Sequence, residues 1–144
     1  MLQLSAMLGV FSVGLLYFLS VSLADARESE PRKLTIAEAK EIALAALTDQ
    51  QRHLPRLGLE SDTVTESSRY IFITATWVGE PRGSVVVDSF AVDRLTADIW
   101  SATISCLEKK NTNIYGLQSH FRKEINLSLS DYQKIKTNGP LCEN

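Results

Sequence analysis

The chain has 144 residues, with 15 Lys+Arg against 17 Asp+Glu, two Cys and two His, 44% hydrophobic and 22% charged residues; this is the make-up of one globular domain. A net charge of −2 excludes a nucleic-acid binder, which needs a clustered Lys/Arg surplus to meet phosphate. Collagen-like and low-complexity chains are excluded by the same composition.

The charge is unevenly placed. No Asp, Glu, Lys, Arg or His occurs before Asp25, so residues 1–24 form an apolar leader. It reads as a signal peptide, with small residues placing cleavage after Ala24 or Ala26. The alternative is an uncleaved anchor, because about 20 apolar residues at 1.5 Å rise span the roughly 30 Å hydrocarbon layer. A membrane enters only through that uncleaved leader, and the expected location is periplasmic or secreted. Residues 25–33 read as a charged linker and residues 34–144 as a single α+β domain.

Within that domain Thr35-Ile36-Ala37-Glu38 is a capping box, and Ile36, Ala39, Ala43, Ala46 and Leu47 follow at helical spacing, which predicts a helix from Ile36 to about Arg52. The Pro, Gly, Ser and acidic content of residues 55–68 predicts a loop with a short strand around Val64. Residues 69–78, RYIFITATWV, are β-branched and aromatic and predict a strand. A second strand, residues 84–92, returns after the breakers Gly79 to Gly83. Asp93 to Asp98 then turns into a third strand through Ile99, Trp100 and Ala102, extending towards Ile104. Ile114, Leu117, Phe121 and Ile125 mark another helix, with cap candidates at Asn111, Thr112 and Asn113. Ser128 caps a short last helix, stopped at Asn138-Gly139-Pro140. The expected fold is therefore an N-terminal helix on a three- to four-stranded antiparallel meander, followed by two short C-terminal helices tied by a disulfide.

That disulfide would join Cys106 and Cys142, an even pair in an exported small domain. It would close a loop of about 36 residues, which contributes roughly 3–4 kcal/mol in the chain-entropy account. A redox or nucleophilic thiol would be expected to show a C-x-x-C spacing, which this pair lacks.

The stretch from Leu34 to Trp100 resembles the PepSY-like modules of exported bacterial proteins. Leu34, Thr35, Glu38, Ala39, Ile42 and Ala43 match the capped helix of that pattern. Val92, Asp93, Thr96, Asp98 and Ile99 match its closing turn, with Ala97 where the pattern has glycine. The resemblance implies a small non-catalytic domain, of a kind linked to restraining a peptidase or to binding at the cell envelope.

Candidate chemistry is sparse. His53 and His120 have no His or Cys at metal-ligand spacing, and no G-x-S-x-G stands near either, so no metal, cofactor or catalytic residue is assigned. Asp88 falls in phase with Val86 and Phe90, and either points inward, where it needs a partner, or marks a strand edge. Asp93 and Asp98 bracket a turn, where Asp caps nearby amides. Tyr70 and Phe72 project to one side of their strand, and Trp77 to the other. The C-terminal helices are expected to cover the second face, the alternative being a face left for a partner. Tyr70, Phe72, Trp77 and Arg82 are the candidate partner contacts, because Trp, Tyr and Arg dominate interface hot spots.

These features point to an exported, non-catalytic binding domain, most concretely an inhibitor or immunity-type protein acting on an envelope or secreted enzyme. A small periplasmic hydrolase or redox enzyme, and a membrane-anchored assembly subunit, are the alternative readings. No nucleic-acid partner and no cofactor are expected.

Overall fold

The structure is a computed structural model that describes residues 31–79, 84–103 and 107–140. The leader, Arg82, Cys106 and Cys142 lie outside the described residues.

Helix α1, Ile36–Ala46, opens on the expected capping box: the Thr35 hydroxyl accepts from the Glu38 amide while the Glu38 carboxylate accepts from the Thr35 amide. It ends before Arg52, because Leu47 turns extended with ψ 149° and Thr48 starts a second capped turn, α2, Asp49–Arg52. Thr48 and Gln51 repeat the capping box, so the chain pairs its orphan amides and changes direction in one step.

Four strands follow: β1, Leu57–Ser61; β2, Tyr70–Val78; β3, Ser84–Asp93; and β4, Ile99–Ser101. They form an antiparallel sheet in the order β1-β2-β3-β4. Two helices close the chain, α3, Thr112–Glu124, capped by Asn111, and α4, Leu129–Ile135, capped by Ser128.

The expected architecture is corrected in three respects. The first strand lies at Leu57–Ser61, inside the segment read as loop, and Val64 is in no strand. Leu57 and Leu59 supply a two-residue alternation that Pro55 and Gly58 mask at the level of composition. The helical layer is not one N-terminal helix, because α3, which follows the strands, joins α1 on the same sheet face: Ile114, Phe121 and Ile125 share a core with Ile42, Ala43, Ile71, Ile73, Phe90 and Val92. No disulfide is found among the described residues, both cysteines falling outside them.

Alternation sorts the sheet into two faces. Ile71, Ile73 and Ala75 of β2 are fully buried beneath the helices, opposite Val92, Phe90 and Asp88 of β3. Tyr70, Phe72, Thr74 and Thr76 lie on the other, outer face. One register shift interrupts the hairpin: Ala75 faces Asp88 but Thr76 faces Val86, so Val87 is an extra residue on β3. A bulge of this kind bends the hairpin and strengthens its twist.

Candidate protein-binding surface

The β3–β4 turn is densely hydrogen-bonded. Asp93 is fully buried and Asp98 is 1% exposed. Arg69 donates through both Nε and Nη2 to Asp93 Oδ2 at 2.9 Å, and the Leu95 amide donates to Oδ1 at 2.8 Å. Ala97 holds φ 61°, a left-handed conformation that costs a residue with a Cβ. Its carbonyl accepts from Gln118 Nε2 at 3.0 Å, and the Thr96 carbonyl accepts from Arg122 Nε at 2.7 Å. The turn is thus fixed by α3, which holds an alanine in a left-handed conformation.

Asp98 takes a hydrogen bond from Arg122 at 2.5 Å and one from the Tyr132 hydroxyl at 3.3 Å, while its Oδ2 is buried without a partner. Burial pushes the Asp98 carboxyl above the ordinary carboxylate range, against the pull of Arg122. Burial likewise raises the Tyr132 phenol. The Arg122 guanidinium stacks over the Tyr132 ring at 4.2 Å. This pair lies at the edge of a surface groove of about 390 Å³, also lined by Ser119, Lys123, Ser128 and Leu129.

The outer face is covered at one end by the chain after α4. Arg69 also donates to the Ile135 carbonyl, and the Tyr70 hydroxyl bonds Thr137 at 2.8 Å. Tyr70 meets Trp100 edge to face, centroids 6.1 Å apart. Gly139, with φ 102°, presses so closely on the Trp100 ring that an added Cβ would lie 2.8 Å from it. The expectation that the C-terminal helices cover this face is corrected accordingly: α3 packs on the core side, and only residues 136–140 cross the outer face. Phe72, Thr74 and Thr76 remain half-buried there.

Of the candidate contacts, Tyr70 is held by Thr137 and Trp100, and Phe72 lies two residues along the same face. Trp77 is on the core side, towards the hairpin end, with its ring against Gly79 and its indole nitrogen buried without a partner. These three residues do not form one patch. Sequence reasoning missed the valines of the hairpin end: Val85, opposite Trp77, is 51% exposed, and Val78 and Val86, on the other face, are 40% and 58% exposed. Their β-branched pattern reads as buried strand, and only the bulge and the end of the helical layer leave them in solvent.

The carboxylates and histidines have local partners. Asp88 does face inward and is paired with Lys109 at 3.0 Å, whose ammonium also stands 5.5 Å over the Phe90 ring. His53 Nδ1 bonds the Asp49 carbonyl at 2.7 Å, and His120 stands 3.5 Å from Glu124. Among the described residues no group of His, Cys, Asp and Glu is placed to hold a metal ion, and no helix is long and apolar enough to cross a membrane.

No protein-family model matches the chain, and no curated protein matches it. The fold is similar to that of a chain in a solved structure of a type VI secretion system effector-immunity complex from Pseudomonas protegens. The likeness has a TM-score of 0.55 at 21% identity and covers 71% of this chain and 85% of that one.

Proposed function

We propose that this protein is an exported, non-catalytic binding domain of the inhibitor or immunity type, acting on an envelope or secreted enzyme. The observation that carries the reading is the fold it has in common with a chain from an effector-immunity complex. Two features support it. The acidic side chains of the turn are consumed in structural bonds, Asp93 with Arg69 and Asp98 with Arg122. The hairpin end instead offers apolar area on both of its faces, since Val85, opposite Trp77, and Val78 and Val86, on the other face, stand in solvent. Burying such area stabilises an interface by about 25 cal/mol per Å² before the costs of association.

The test starts from the partner that cross-links stoichiometrically to the protein in the compartment where its host delivers it. The purified partner should lose its enzymatic activity as the protein is titrated to saturation. Val85→Ser with Val86→Ser should weaken that inhibition tenfold or more while leaving the unfolding midpoint in place. A partner that stays fully active at saturation overturns the reading.

A further inference from the structure

Four asparagines fall among the described residues, and they differ in what holds them. Asn111 is locked at the start of α3: its Nδ2 donates to the Ala45 carbonyl at 2.9 Å and its Oδ1 accepts from the Ile114 amide at 2.8 Å. That second bond also ties up the amide that follows Asn113. The amide that follows Asn126 is held as well, since Leu127 N donates to the Arg122 carbonyl at 2.8 Å. Asn138 differs from all of these. It is exposed, its side chain has no hydrogen bond among the described residues, and the residue after it is Gly139. The Gly139 amide donates only to the Thr137 hydroxyl at 3.4 Å, which is long for a bond from N–H to oxygen. That hydroxyl is already engaged with Tyr70 at 2.8 Å.

An asparagine side chain and the amide of the next residue can react when neither is held. The Gly139 nitrogen attacks Asn138 Cγ and forms an N–Cγ bond; the Cγ–Nδ2 bond breaks, and Nδ2 leaves as ammonia with the proton given up by the glycine nitrogen. Water then opens the cyclic imide. Opening at the Cγ carbonyl gives aspartate. Opening at the Asn138 main-chain carbonyl gives isoaspartate, in which the chain runs through Cβ and Cγ. Glycine permits the approach because it has no Cβ to crowd the nitrogen.

The position of Asn138 gives the product its effect. It is the residue between two anchors of the segment that crosses the outer face: Thr137 Oγ1 on the Tyr70 hydroxyl, and Gly139 packed on the Trp100 ring with no room for a Cβ. Tyr70 and Trp100 are themselves in edge-to-face contact, so the two anchor points are fixed relative to each other. Isoaspartate lengthens the main chain between them by a methylene and leaves a carboxylate at the branch. The glycine cannot then stay seated on the ring while Thr137 keeps its bond.

We propose that Asn138 is a self-modifying site, whose conversion to isoaspartate releases residues 136–140 from the outer sheet face and uncovers Tyr70 and Trp100. The conversion consumes only water and is spontaneous, so it marks the age of each molecule. It does not rest on the partner enzyme proposed above, and its test uses the protein alone.

The purified protein is aged in mildly alkaline buffer beside a sample held in urea, and residue 138 is followed by peptide mapping that separates asparagine, aspartate and isoaspartate. Isoaspartate should form at residue 138 and at none of the other three asparagines in the folded protein. Its rate should lie within about tenfold of that in urea, as befits a segment with little local protection. In a Trp77→Phe background Trp100 is the sole tryptophan, and its emission should shift to the red in step with isoaspartate. Should that variant fail to fold, the Trp100 ring resonances of the unmutated protein report the same release. Asn138→Gln should block both changes. Freshly prepared Asn138→Asp, which keeps the main chain at its original length, should retain the native emission; a red shift there traces the release to charge and overturns the lengthening argument. An Asn138 that survives in the folded protein while the urea sample converts overturns the proposal, as does isoaspartate with unchanged emission and resonances.

Discussion

Replacing Asp93 by Asn removes one charge and changes almost no volume, and it should unfold the turn that organises this molecule. Asp93 is fully buried, with Oδ2 taking two bonds from Arg69 and Oδ1 one from the Leu95 amide. An asparagine has one acceptor oxygen. Turned towards Leu95, it presents its NH₂ to the Arg69 donors; turned towards Arg69, it presents NH₂ to the Leu95 N–H. Breaking a buried ion pair from one side costs about 3–5 kcal/mol. The Arg69 side chain is 33% exposed, so water reaches the released guanidinium and the cost falls to about 2–3 kcal/mol. In a domain of this size that lowers the thermal midpoint by roughly 10 °C. Urea unfolding followed by tryptophan fluorescence measures it, and a double-mutant cycle isolates the pair. Arg69→Met alone should cost more than Asp93→Asn, because it strands the carboxylate, which has no exposure of its own. In the Asp93→Asn background the same change should cost under about 1 kcal/mol. Additive single and double effects would refute the assignment of these energies to one buried pair.

Three further perturbations separate local effects. Arg32 donates to both Glu38 oxygens at 3.0 and 2.8 Å, and this holds the carboxyl down at about 2. The native state therefore gains stability that is full above the ordinary carboxylate range and lost as pH falls towards about 2. Arg32 is 45% exposed, so the pH-dependent part is only about 1–2 kcal/mol; Glu38→Gln should flatten urea midpoints between pH 5 and 2, and parallel curves contradict this. At Ala97, glycine relieves about 1–2 kcal/mol of left-handed strain but gives up a buried methyl worth about 0.8 kcal/mol and gains unfolded-state freedom of about 0.4–1 kcal/mol. Ala97→Gly should move the urea midpoint little, whereas Ala97→Val should be strongly destabilising, and a tolerated valine sinks the strain argument. Gly139→Ala should lift the last segment from Trp100, red-shifting emission in a Trp77→Phe background and costing about 1–3 kcal/mol; unchanged emission is the contrary outcome.

What could be read from the sequence was local. The Thr35–Glu38 capping box, the alternation of β2, and the Asn111 and Ser128 caps each rest on near neighbours in sequence; the alternation of β3 fails at the Val87 bulge, which puts Val86 on the face opposite to Asp88 and Phe90. The Thr48–Gln51 box has the same form and was open to the same reading, but the alanine-rich periodicity running past it extended α1 to Arg52. Strand β1 was hidden because its two leucines are separated by a glycine and follow a proline. Its partner, β2, supplies the reason it forms: Leu59 stands opposite Ala75, and Ser61 opposite Ile73. That pairing cannot be seen within the segment.

The surface depends on still longer range. The three exposed valines lie on strands whose composition predicts burial, and two non-local facts accompany their exposure. The bulge at Val87 bends the hairpin, and α1 and α3 share the core face nearer its base. Tyr70 shows the reverse. By type it is an interface residue, yet residues 136–140, more than sixty positions away, cover it through Thr137, and it stands beside Trp100. Composition picks out residue types common at interfaces, while the path of the C-terminal segment decides which of them are left uncovered. A partner that needed Tyr70 would first have to displace the Arg69, Tyr70 and Trp100 contacts to that segment. The exposed valines of the hairpin end ask for no such rearrangement, which is the ground for placing the proposed binding there rather than at the aromatic cluster.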